Sequence, residues 1–122
     1  MKVSDTISGL IRLPRKFKSR GNVSIQDLLQ ETGYFEIHDE VSSERIHEEL
    51  IQHPECVDEW MSYSEDKRSS SGWYLKQKDR DTYVVGFYNG KGGKNAQIRY
   101  ADRIDACAAF IKHEAEDIMR LG

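Results

Sequence analysis

The chain has 122 residues and a mass of 14.1 kDa, enough for one domain with a real core and too few for two of ordinary size. Apolar residues make up 38% and charged residues 32%, with aromatics spread along the length, which excludes an intrinsically disordered chain. The formal charge of -3 conceals three blocks: +5 from Met1 to Gln26, -12 from Asp27 to Asp66, where thirteen carboxylates stand against one Arg, and +4 from Lys67 to Gly122.

The first residues carry Asp5 and Arg12 where a secretory signal needs an unbroken apolar run, and no stretch of about 18 apolar residues occurs. The expected location is therefore cytoplasmic, with no membrane partner. A short apolar piece, Ile7 to Leu13, leads into "RLPRKFKSRGN", whose Pro14 and Gly21 are breakers, so residues about 12–22 are expected to form a basic irregular arm on a single domain spanning 1–122. Ser24 then offers an N-cap with Asp27 three residues on and Val23 placed to staple onto Leu28, and Gly33 supplies the stop. Ser42 opens a second helix with Ile46, Leu50 and Ile51 on its apolar stripe. Pro54 suits the first turn of a third, in which Val57, Trp60, Met61 and Ser64 follow at i, i+3, i+4 and i+7.

After "SEDKRSSSG" the period changes to alternation. "WYLKQ", "TYVVGFY" and "AQIRY" predict three strands, joined by "KDRD" and the Gly-rich "NGKGGKN", as an antiparallel meander. Asp102 caps a last helix whose stripe, Ile104, Cys107, Ala108, Ile111, Ala115, Ile118 and Met119, has to cover the sheet, because three strands alone cannot bury an apolar face. The predicted class is α+β: N-terminal helices, a three-stranded meander and a C-terminal helix packed on it.

The chemistry-bearing residues form no catalytic pattern. Cys56 and Cys107 stand far apart without CxxC or Cys/His spacing and are expected to be buried free thiols. The histidines, His38, His47, His53 and His113, make neither HExxH nor a paired Glu-x-x-His, so no metal and no cofactor is expected. The Gly-rich loop lacks Walker spacing, and the serines of "KRSSSG" lack a nucleophile elbow. A binding protein, not an enzyme, is the expectation.

Two binding readings remain. The order of elements invites comparison with double-stranded RNA-binding domains, which grip phosphates with cations at the start of their second helix. Here Asp102 and Asp105 occupy that place and repel phosphate, so nucleic acid becomes an alternative partner, held by the basic arm and by Lys91 and Lys94 of the Gly-rich loop. The main reading rests on the acidic helices. Their apolar stripes turn inward, so Glu44, Glu48, Glu49, Glu55, Asp58 and Glu59 share solvent-facing surface, continued by Glu65 and Asp66. Like charges at i,i+4, such as Glu44 with Glu48, each cost roughly 0.2–0.5 kcal/mol, so stability does not ask for this pattern. A field of one sign does speed encounter with a cationic partner. Trp60 belongs to the core, while Tyr63 is expected to anchor a partner at the edge of the acidic face.

With "DEW", "SGWYL" and "YADRIDACAAFIKHEAEDI" set around a short meander in an acid-rich α+β chain, the sequence resembles the small immunity proteins of bacterial contact-dependent growth-inhibition and related polymorphic toxin systems. The resemblance implies a non-enzymatic, cytoplasmic protein that binds one cognate toxin domain, often a nuclease, and blocks its active site.

Overall fold

A computed structural model describes residues 2–20, 23–66, 72–88 and 97–121. Helices α1 (Lys2–Ile11), α2 (Leu13–Arg20), α3 (Ile25–Glu31) and α4 (Tyr34–Ile37) come first, the last running into a 3-10 turn, His38–Glu40. The acidic helices α5 (Ser43–Gln52) and α6 (Glu55–Asp66) follow, then strands β1 (Gly72–Asp79), β2 (Thr82–Tyr88) and β3 (Gln97–Tyr100), and finally α7 (Arg103–Leu121). The expected α+β plan is observed. All strand pairs are antiparallel, in the order β1-β2-β3, and α7 packs on the sheet.

The segment expected to be an irregular arm is helical instead. Pro14 is the second residue of α2, a first-turn position whose missing N–H has no intrahelical acceptor to lose and whose fixed φ already suits a helix. Leu13 and Pro14 are buried, and the Lys16 N–H donates to the Arg12 carbonyl at 3.2 Å, carrying the helical bonding across the start. Beyond them every residue from Arg15 to Arg20 is exposed, so packing holds α2 by its first turn alone.

The predicted caps are present. Ser24 Oγ accepts from the Asp27 N–H at 3.0 Å, Ser42 Oγ from the Arg45 N–H at 3.2 Å, and Asp102 Oδ1 from the Ile104 N–H at 3.0 Å. Gly33 ends α3, as expected, yet with φ +88° it also opens α4, so the chain turns once and becomes helical again. Thr6, buried in α1, donates its hydroxyl to the Thr32 carbonyl at 2.8 Å and so supports the end of α3.

The core lies between α7, the N-terminal helices and one sheet face. Trp60 is fully buried, as expected; its indole N–H donates to the Ile11 carbonyl at 3.0 Å, and its ring meets Tyr63 and Phe110 edge-on. On the sheet, Trp73 pairs with Phe87 and Leu75 with Val85, which in turn pairs with Ile98, so these side chains share the face turned to α7. His113 of α7 stacks on Trp73, centroids 3.9 Å apart and planes 11° from parallel. Both cysteines are free and buried, and burial raises both thiol pKa values, which keeps them inert.

Tyr34 anchors α4 to α7. It is fully buried, and its hydroxyl donates to Glu116 Oε2 at 2.5 Å. Lys112 Nζ donates to the Tyr34 hydroxyl, the His38 carbonyl and Glu116, at 2.8, 2.7 and 3.1 Å, which commits all three of its donors. Burial and then Glu116 raise the Tyr34 pKa, the opposite of what an activated tyrosine requires.

Ser64 stands on the apolar stripe of α6 for a stated reason. It is 4% exposed, and its hydroxyl oxygen accepts from the Leu75 N–H at 2.8 Å, satisfying a buried donor on the free edge of β1. Ser64→Ala should therefore destabilise the fold by about 1–3 kcal/mol in urea unfolding, although Ala is the better helix former. A neutral or stabilised variant would refute this role for the hydroxyl.

Burial, followed by Lys112, lowers the His113 pKa below its usual 6.5. The folded state thus binds fewer protons than the unfolded chain, so this contribution is complete above pH 6.5 and is lost as the pH falls towards the folded value. In His113→Phe, which keeps a ring against Trp73, unfolding free energy should decline less steeply than in the parent between about pH 7 and pH 5. Equal slopes would remove His113 from the acid response.

A candidate acidic docking surface

The acidic helices meet at His53. This residue ends α5, and its ring lies 3.8 Å from Glu49 on one side and 3.8 Å from Glu55 of α6 on the other. The start of α7 is carried to the same junction: Arg103 reaches Asp58 at 3.2 Å and donates to the Pro54 carbonyl at 3.3 Å. Its neighbours Asp102 and Asp105 then face His47 of α5, whose Nε2 is 2.8 Å from Asp105 and 3.9 Å from Asp102. Three element ends therefore build one surface in which carboxylates surround a single guanidinium and two imidazoles.

The expected residues divide into three groups. Glu44, Glu48, Glu55 and Asp58 are exposed and Glu49 is half-buried; among the described residues Glu44 and Glu48 have no ion-pair partner. Glu65 is exposed at the far end of α6, and the side chain of Asp66 falls outside the described residues, as do Lys91 and Lys94 of the Gly-rich loop. Glu59 and Tyr63 are placed differently from the expectation. Glu59 is paired with Arg15 of α2 at 2.8 Å, and its second carboxylate oxygen is enclosed without a hydrogen-bond partner. The excess of carboxylates is thus partly neutralised by the chain's own basic end.

Tyr63 points inward. Its hydroxyl donates to Glu114 at 2.7 Å, Glu114 is 2% exposed, and burial together with Glu114 raises the tyrosine pKa. A tyrosine three residues after a core tryptophan lies on the same side of the helix, so spacing alone placed it closer to the core than to an edge. Asp102, Asp105, His47, His53 and Arg103 are the contributors that sequence reasoning passed over. The two aspartates were accounted for by the α7 N-terminus, and nothing local shows that α5 packs beside them.

His47, Asp102 and Asp105 are also the residues able to hold a divalent cation, since their ligand atoms all lie within 4.8 Å of one another. One Asp102 oxygen accepts from the Ile104 N–H at 3.0 Å, and Asp105 Oδ1 lies 2.8 Å from the His47 Nε2. Among the described residues of this surface, the carboxylates Glu44, Glu48, Glu49, Glu55, Asp58, Asp102 and Asp105 outnumber Arg103, His47 and His53.

No protein-family model, curated protein or solved structure matches this chain.

Tyr63→Phe should lower unfolding free energy by about 1–3 kcal/mol, the range for losing a buried hydrogen bond, with no change in partner association. Weaker association at unchanged stability would return Tyr63 to the interface.

Proposed function

We propose that this chain is a non-catalytic inhibitor that binds one cationic protein domain, in the manner of the immunity proteins of contact-dependent growth-inhibition and polymorphic toxin systems. The observation that supports it most is the convergence of Glu49, Glu55, Asp58, Asp102 and Asp105 at the α5–α6–α7 junction, beside Glu44 and Glu48, which have no ion-pair partner among the described residues. Such a surface accelerates encounter with a basic partner and rejects anionic ones. A nuclease active site is built to receive a row of phosphates, so a rigid row of carboxylates suits its occlusion. Arg103, His47 and His53 sit among the carboxylates and fix their positions, which lowers the entropy lost on docking. Cytoplasmic action is part of the proposal; among the described residues no helix is long and apolar enough to cross a membrane.

The nucleic-acid alternative built on the N-terminal segment is weakened by its own pairing. Arg15 and Arg20 are engaged by Glu59 and Glu31, at 2.8 and 3.0 Å, which leaves Lys16 and Lys18 as the exposed cations of α2 without a carboxylate partner among the described residues.

The test is capture from the native cytoplasm by a tagged chain and by its Glu44→Lys, Glu48→Lys, Glu55→Lys form, followed by reconstitution with the purified captured polypeptide. Glu59 is left intact because reversing it would also free Arg15. The expected result is an equimolar complex with a basic polypeptide whose own activity is blocked. Its association should slow at least about tenfold on reversal and fall with added salt. A complex formed at the same rate by both chains would exclude this surface, and a captured protein that keeps full activity would exclude inhibition.

A further inference from the structure

The sheet has two faces, and the described helices cover one. Helix α7 packs on all three strands, and α6 runs beside β1, where Ser64 closes the edge. On the far face the strand register sets out two rows. Tyr74 pairs with Gly86 and Gly86 with Gln97; one step along, Lys76 pairs with Val84 and Val84 with Arg99. None of these six residues is acidic, whereas the surface beyond α7 is.

Gly86 decides the geometry of the first row. A Cβ at this position would lie 2.5 Å from the Tyr74 hydroxyl oxygen, 2.6 Å from Cζ and 3.0 Å from Cε2, so the hydroxyl end of the phenol ring lies against the glycine. Glycine inside a strand weakens it, and here its missing side chain is what lets an aromatic ring lie against the backbone. Gln97 fixes the ring from the next strand by donating its side-chain N–H to the Tyr74 hydroxyl at 2.6 Å. In the second row Lys76 and Arg99 are both exposed, on strands separated by β2 and so about 10 Å apart, with Val84 buried between them; Lys76 Nζ stands over the Tyr74 ring, 5.8 Å from its centroid, and has to swing aside for a base to stack there.

We infer that this sheet face, which no described helix covers, is a docking surface for single-stranded nucleic acid, with a base stacked on Tyr74 and the backbone phosphates held by Lys76 and Arg99. Charge complementarity selects an anion, and the aromatic ring beside the two cations selects one that carries aromatic planes. An acidic polypeptide would use the two cations and leave the ring idle. A duplex keeps its bases stacked on each other and offers no free plane to Tyr74. Gln97 retains its carbonyl oxygen and a second N–H for a base edge after holding the ring. The inference uses none of the residues of the acidic surface, although Arg99 stands three residues before Asp102.

Fluorescence anisotropy with a labelled twelve-nucleotide oligouridylate tests it on the full chain. Two phosphate contacts give a slope of about -1.4 in log affinity against log salt, so binding should weaken about sevenfold between 50 and 200 mM salt. Lys76→Gln with Arg99→Gln should abolish most of that dependence. Tyr74→Leu should weaken binding about tenfold or more, while Tyr74→Phe, which keeps the plane and loses only the Gln97 bond, should stay close to the parent. Circular dichroism and thermal unfolding verify that each variant is folded, and the Phe variant keeps the test decisive if Leu is not tolerated. The inference is overturned if no binding occurs up to about 1 mM protein, beyond the usual range of non-specific affinities. It is equally overturned if the sheet variants bind like the parent, or if a twelve-residue polyglutamate peptide binds as tightly as the oligonucleotide.

Discussion

Helix α7 has to satisfy two apolar surfaces at once, and most of the molecule is arranged by that demand. One side receives the sheet and the other receives α5, with α3 and α6 filling the flanks. Ala106, Cys107, Ala108 and Ala115, all buried, keep its girth small enough for neighbours to approach, while Phe110 and Ile111 reach into the gaps. A three-stranded sheet cannot stand alone, and a short acidic helix such as α5 has no reason to form alone either. Both are stabilised by burial on α7, so the helix that comes last in the chain completes the core.

That arrangement also explains the placement of charge. Because α5 lies along α7, the N-terminus of α7 is brought beside His47, and the cap that starts the last helix becomes part of the acidic surface. Asp102 serves both ends: one oxygen holds the Ile104 N–H and the other faces the imidazole. Favourable placement of aspartate at a helix N-terminus thus offsets part of the repulsion from crowding carboxylates at one junction. The field of the surface therefore depends on the same packing that closes the core.

Local patterns made most of the elements legible in the sequence. Ser24, Ser42 and Asp102 cap where their neighbours say they should, and the strands follow from alternation, because these features depend on residues a few positions apart. Helices α1 and α2 were obscured by Pro14, which breaks a helix in its interior and starts one in its first turn, and only the fold decides which turn it occupies. At the candidate surface the abundance of charge was legible and its pairing was not. Glu59 meets Arg15 across 44 residues of sequence, and Arg103 reaches back to Asp58 from the last helix. Ser64 is the converse case: a polar residue on an apolar stripe marks a buried donor elsewhere, here the Leu75 N–H.

The two charged surfaces meet where β3 turns into α7: Arg99 stands three residues before Asp102, at most about 10 Å along the chain, and burial and then Asp105 raise the Tyr100 pKa. Lys76 lies on β1, two strands away from that turn, so the two cations of the far sheet face differ in how strongly they feel the acidic field. The overall charge of -3 is then a poor guide to how this molecule meets a partner. What matters is which face is presented at close range, because groups of opposite sign are grouped on different elements of the same small domain.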